Sequence, residues 1–110
     1  MESKSKLATF IGFAVRTGRY KIGVNAVATL KKANLMIVCD SASENTKKES
    51  EKLSKKLRVP LYQTVECTLE ELVHRENAKV MAITDKDLAK AVTDNCEKYL
   101  IARNLGDKNG

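Results

Sequence analysis

Residues Leu35-Met36-Ile37-Val38-Cys39 form an unbroken apolar run, closed by Asn34 on one side and Asp40 on the other. Five residues suit a strand rather than a buried helix, and a strand with no polar member must be covered on both faces, as in parallel sheets. The chain containing it must therefore fold in layers, with helices on either side of a sheet.

The rest of the sequence supplies those layers. Leu7, Phe10, Ile11 and Ala14 recur at spacings of three and four, which predicts an amphipathic helix over about 2–15. Thr17-Gly18 ends it, and Arg19 to Ile22 reads as a short strand. Gly23-Val24-Asn25 opens a second helix, with Val27 and Leu30 facing inward and an end near Lys32. Ser43 is placed to cap a helix running to about Leu57. Leu53 and Leu57 lie on its inner side, and Lys47, Lys48, Lys52, Lys55 and Lys56, interrupted by Glu49 and Glu51, on the other. Val59 to Gln63 reads as a third strand, whose Pro60 puts it at a sheet edge or marks a strand start.

Thr68-Leu69-Glu70-Glu71 matches a capping box and predicts a short helix over 68–75. Val80 to Ile83 is a fourth strand, and Asp85 caps a last helix carrying Leu88, Val92, Cys96 and Tyr99. The expected architecture is an α/β class, three-layer α/β/α sandwich around a mixed, mostly parallel four-stranded sheet. One domain spans 1–105, and 106–110 form a flexible tail.

Composition narrows the function. The chain has 110 residues, 43% hydrophobic and 31% charged, too apolar for a disordered chain. No run approaches the ~20 apolar residues that span a bilayer, and the N-terminus carries no secretory pattern. Cys39, Cys67 and Cys96 are far apart with no CxxC pair, which argues against a disulfide framework or a zinc site and for a reduced, cytoplasmic setting. His74 reads as a surface residue. No phosphate-cradling glycine loop is present, and no nucleophile has a base beside it. The chain therefore reads as non-enzymatic, with no metal and no cofactor.

Charge is uneven. The segment through Pro60 has 13 basic and 5 acidic residues, a net +8; the remainder has 7 and 9, a net −2. A basic half on a small domain points to a polyanionic partner. The turn Arg19-Tyr20-Lys21-Ile22-Gly23-Val24-Asn25 joins cations, a permissive glycine, helix-start amides and a carboxamide that can pair with a base edge. The lysine face of the 43–57 helix is the second basic feature, which taken alone reads more readily as a solvated surface than as a binding stripe.

Several segments fall in an order that resembles a known family: Gly12-Phe13-Ala14-Val15-Arg16 followed by Gly23, then Ala42-Ser43-Glu44-Asn45-Thr46-Lys47-Lys48, Val59-Pro60, and Ala82-Ile83-Thr84-Asp85 before Leu88-Ala89. They are similar to the ribosomal-protein L7Ae superfamily, in particular its small bacterial members, over about residues 7–92. The resemblance implies a three-layer sandwich whose relatives bind kink-turn or related kinked RNA. It implies that Asn25 pairs with guanine edges of sheared G·A pairs, that Lys21 meets phosphates, and that the Thr64–Leu69 loop lies beside an unstacked nucleotide. Ala26 and Thr29 stand where the family has glutamate and lysine, and Leu69 to His74 replaces a loop with two glycines.

The reading is a ribosomal or ribosome-associated monomer that binds structured RNA, either ribosomal or a kinked regulatory RNA, with no membrane partner. Arg16, Arg19, Lys21, Lys31 and Lys32 supply affinity, Asn25 specificity, and Gly23, Val24, Cys67, Thr68 and Leu69 complete the surface. The alternative, motivated by Ala26, Thr29 and the acidic 66–71 loop, is a protein–protein adaptor on the same fold.

Overall fold

The structure is a computed structural model and describes residues 2–95 and 99–105. The elements in chain order are α1 (Glu2–Thr17), β1 (Tyr20–Ile22), α2 (Val24–Ala28), β2 (Leu35–Val38), α3 (Glu44–Leu57), β3 (Pro60–Thr64), α4 (Leu69–Val73), β4 (Val80–Ile83), α5 (Lys86–Asp94) and β5 (Leu100–Leu105). The strands form one sheet in the order β1-β4-β2-β3-β5.

The apolar run lies at the sheet's centre. Leu35, Met36, Ile37 and Val38 are all fully buried, as are Val80 to Ile83 on β4 beside them. Alternate residues serve two separate cores. Leu35, Ile37, Met81 and Ile83 pack with Leu7, Ile11, Leu72 and Val92 from α1, α4 and α5. Met36, Val38, Val80 and Ala82 pack with Val27 and Leu53 from α2 and α3. The three-layer arrangement follows from this period-two division of an all-apolar strand.

The sheet differs from the expected one in two respects. It has five strands, and only β2 and β3 are parallel; β1–β4, β2–β4 and β3–β5 are antiparallel. Burial on both faces reports how many helical layers cover a strand, not its direction, so the all-apolar β4 was compatible with either sense. The fifth strand begins at Leu100, directly after Tyr99, the last residue that the helical spacing assigned to the final helix. That helix stops at Asp94 because the Asn95 side chain donates to the Ala91 carbonyl (2.7 Å), competing with the next helical hydrogen bond. Tyr99 then turns its carbonyl to the Val65 N–H (2.8 Å), and β5 pairs along β3 with one irregularity between Leu61 and Tyr62. Cys96 and the 106–110 segment lie outside the described residues.

Pro60 begins a strand flanked on both sides, so the missing N–H falls at a strand start rather than at a sheet edge. The caps agree with the sequence. Ser43 accepts from Thr46 N–H (3.1 Å), Thr68 and Glu71 close a reciprocal capping box, and Asp85 accepts from Asp87 and Leu88 N–H. α2 is shorter than expected: it ends at Ala28, where Thr29 turns its hydroxyl back onto the Ala26 carbonyl (2.6 Å).

Candidate nucleic-acid interface

Hydrogen bonds tie one edge of the sheet, an edge formed by strand ends rather than by an outer strand, into a continuous surface. Gly23 N–H donates to Val80 O (2.9 Å) and Cys39 N–H to Lys79 O (2.7 Å). Asp40 N–H reaches Thr64 Oγ1 (2.9 Å), and Leu69 N–H donates to Cys39 Sγ (3.3 Å). The Gly23 corner, the 39–41 turn and the 64–69 loop, far apart in sequence, thus lie side by side.

At the corner the backbone requires glycine. Gly23 has φ 100 and ψ 144, a region in which a Cβ is strained although nothing lies within 4 Å of where it would stand. The bend turns the chain out of β1 so that Asn25, on the first turn of α2, is exposed, while Val24 packs against the second core. Lys21 is exposed on the outermost strand. Because α2 has only five residues, its dipole is small, and attraction for an anion here has to come from side chains.

Across the edge, the 67–69 segment offers backbone more than side chains. Leu69 is fully buried and Cys67 nearly so, whereas Thr68 is committed to the capping box. Of the carboxylates in the 66–71 segment, Glu70 and Glu71 accept internal hydrogen bonds, whereas Glu66, at φ 59, is exposed. Glu70 accepts from Asn77 N–H (2.6 Å) and from Lys79 Nζ (3.1 Å), and these partners, the amide first, hold its carboxyl below the usual range. Glu71 accepts from Thr68 N–H. Lys79 also donates to Ser41 (2.9 Å). Lys79 and Ser41 are site residues that sequence reasoning missed; the only signal was Lys79's place just before an apolar strand. Burial raises the Cys39 thiol pKa, but hydrogen bonds from Ser41, the Leu69 N–H and Thr64 outweigh it and the net shift is downward.

The remaining expected residues are on the other edge. Thr84 N–H donates to Arg19 O (3.1 Å) and Asn34 N–H to Ile83 O (2.9 Å), so the start of β1, the 29–34 loop and the end of β4 meet there. Arg19 is paired with Asp85 at 2.5 Å, and Arg16 stacks over Phe13 with 5.8 Å to the ring centre. Lys31 and Lys32 are exposed in the loop before β2. The fold therefore groups Lys21, Gly23, Val24 and Asn25 with the 67–69 segment, and sets Arg16, Arg19, Lys31 and Lys32 apart from them.

Arg19 and Asp85 line an open groove of about 510 Å³ together with Phe10 and Phe13 of α1 and Leu88 and Ala91 of α5. The Asp85 carboxyl lies below its ordinary value of 3.8, chiefly through the Leu88 N–H, with Arg19 and the Asp87 N–H adding to it. A depressed folded-state value means that its stabilisation is complete above the unfolded value and fades as pH falls through it. Thermal melts of Asp85→Asn should accordingly lie below wild type at neutral pH and converge with it under acid; parallel curves would refute this.

Among the described residues no group of three His, Cys, Asp or Glu side chains could hold a metal ion, and no helix is long and apolar enough to cross a membrane. His74 caps α4 in a left-handed conformation and is exposed.

This mixed sheet covered by helices on both faces is the α/β class of fold that the sequence resemblance implied. Residues 5–93 match the family model described as ribosomal protein L7Ae/L30e/S12e/Gadd45, and the chain belongs to that family. Among solved structures it is similar to a protein with unknown function from Bacillus halodurans, with a TM-score of 0.70 at 18% identity. That match covers 84% of this chain and 98% of the other, and it shows the shared fold. No curated protein matches the chain significantly in sequence.

Proposed function

We propose that this chain is a non-enzymatic, ribosomal-type RNA-binding protein that recognises kinked RNA through the Gly23–Asn25 corner. The observation that carries the reading is the Asn25 carboxamide, exposed beside a glycine-dependent bend and on the same sheet edge as the 64–69 loop. A carboxamide carries both a donor and an acceptor and can read a base edge. Lys21, on the adjoining strand, supplies a cation for the backbone. Pairing of Glu70 with Lys79 and the Asn77 N–H favours RNA over the adaptor alternative, because it offsets one of the carboxylates of the 66–71 segment. Membership of a ribosomal-protein family supports the same class of partner.

Gel shift with a kink-turn RNA and a straight duplex tests the reading. Asn25→Ala should lose ~1–3 kcal/mol of preference for the kinked RNA. Lys21→Ala should weaken both complexes and flatten the salt slope by about one unit. Equal losses on both RNAs from the Asn25 change would remove Asn25 from the recognition surface.

A further inference from the structure

We propose that a second RNA-contact surface runs along α3 to the α2–β2 loop and holds the phosphate backbone of a duplex arm leaving the Gly23–Asn25 corner. The inference rests on RNA being the ligand of that corner. α3 begins just after the 39–41 turn, on the corner's edge of the sheet, and ends before β3 on the opposite edge. Its 14 residues span about 20 Å at ~1.5 Å per residue. It is a track from one edge to the other.

Lys48, Lys52 and Lys55 recur at intervals of four and three, in one line, and all are exposed. Lys56 and Arg58 extend this line to the far edge. There Leu57 and Val59 pack in the same core cluster as Leu30 and Ala33, which flank Lys31 and Lys32. Because β2 and β3 are parallel neighbours with Met36 opposite Leu61, the two cationic segments lead into the sheet at the same end. Residues 28–34 and 52–60 contain no Asp or Glu at all. Of the three acids of α3, Glu51 takes Arg103 at 2.5 Å and Glu44 lies 3.9 Å from Lys47, while Glu49 is half-buried beside Lys48. Among the described residues, no ion pair engages any cation of the track.

A stripe of one sign repels itself, and a phosphate chain relieves that repulsion while releasing counterions. An anionic membrane would do so too, but a helix that lies on lipid presents exposed apolar residues beside its cations. The exposed large hydrophobics among the described residues are Phe13 and Ile101, on α1 and β5. The α3 face is cationic without an apolar flank, and it starts where the proposed base-reading corner lies. A nucleic-acid backbone fits both facts.

The test measures binding of a plain RNA duplex, of kink-turn RNAs whose arm is short or is longer by one helical turn, and of vesicles containing phosphatidylserine. Lengthening the arm should tighten wild-type binding several-fold. The triple variant Lys32→Ala/Lys55→Ala/Arg58→Ala should abolish that gain, weaken plain-duplex binding about tenfold, and lower the salt slope by about two to three units. Lys86→Ala/Lys90→Ala, on α5, should leave all three unchanged. The triple variant should keep the kinked-over-straight ratio at matched short arms, whereas Asn25→Ala should change that ratio and keep the arm-length gain, so the two surfaces fail separately. An unchanged salt slope, or a loss confined to vesicles containing phosphatidylserine, would overturn the proposal.

Discussion

Ile37→Ala should destabilise the protein by about 2–5 kcal/mol, seen as a lower denaturant midpoint with an unchanged slope. Ile37 is fully buried at the middle of the sheet, between Tyr62 on β3 and Met81 on β4. Its side chain belongs to the cluster that joins the sheet to α1, α4 and α5. Removing its outer carbons forfeits their transfer free energy and leaves a cavity that neighbours held by two ladders cannot collapse to fill. Domains of this size have about 5–15 kcal/mol to lose, so the variant should stand near the threshold of unfolding at physiological temperature. A loss under about 1 kcal/mol would mean that the central strand is not the rigid element that the two-sided burial implies.

Gly23→Ala should cost about 1–3 kcal/mol in stability, from backbone strain alone. The added methyl would meet no atom within 4 Å, so a clash cannot account for the loss; the φ of 100 can. Two consequences separate this variant from the core one. Relief of the strain would swing α2 and Asn25, so preference for kinked RNA should fall along with stability. The salt slope should stay as it was, since no cation is removed. If Gly23→Ala melts like wild type, the bend is adaptable and the corner is not held in advance.

The layers were legible in the sequence because the unbroken apolar run at Leu35 and the three-and-four spacing of Leu7, Ile11 and Ala14 admit few alternatives. Ser43, Thr68 and Asp85 were legible as caps for the same local reason. Strand direction was not, since Val80 to Ile83 is apolar at every position and carries no mark of its sense. β5 was hidden because Leu88, Val92, Cys96 and Tyr99 keep a helical spacing past the point where Asn95 takes the Ala91 carbonyl. At the site, the Gly23–Asn25 corner could be read from residue types within one short segment. That Lys31 and Lys32 lie on the opposite edge depends on where α2 stops, which the Thr29 hydroxyl decides. The neutralisation of Glu70 depends on Lys79, brought to it only by the fold.

The fifth strand carries one more consequence. The family match ends at residue 93, but β5 occupies 100–105 and covers the outer side of β3. The boundary of the shared domain is thus not the boundary of the folding unit. A chain shortened to the match would bare β3's outward amides and carbonyls along Leu61 to Thr64, offering a template on which copies could stack edge to edge.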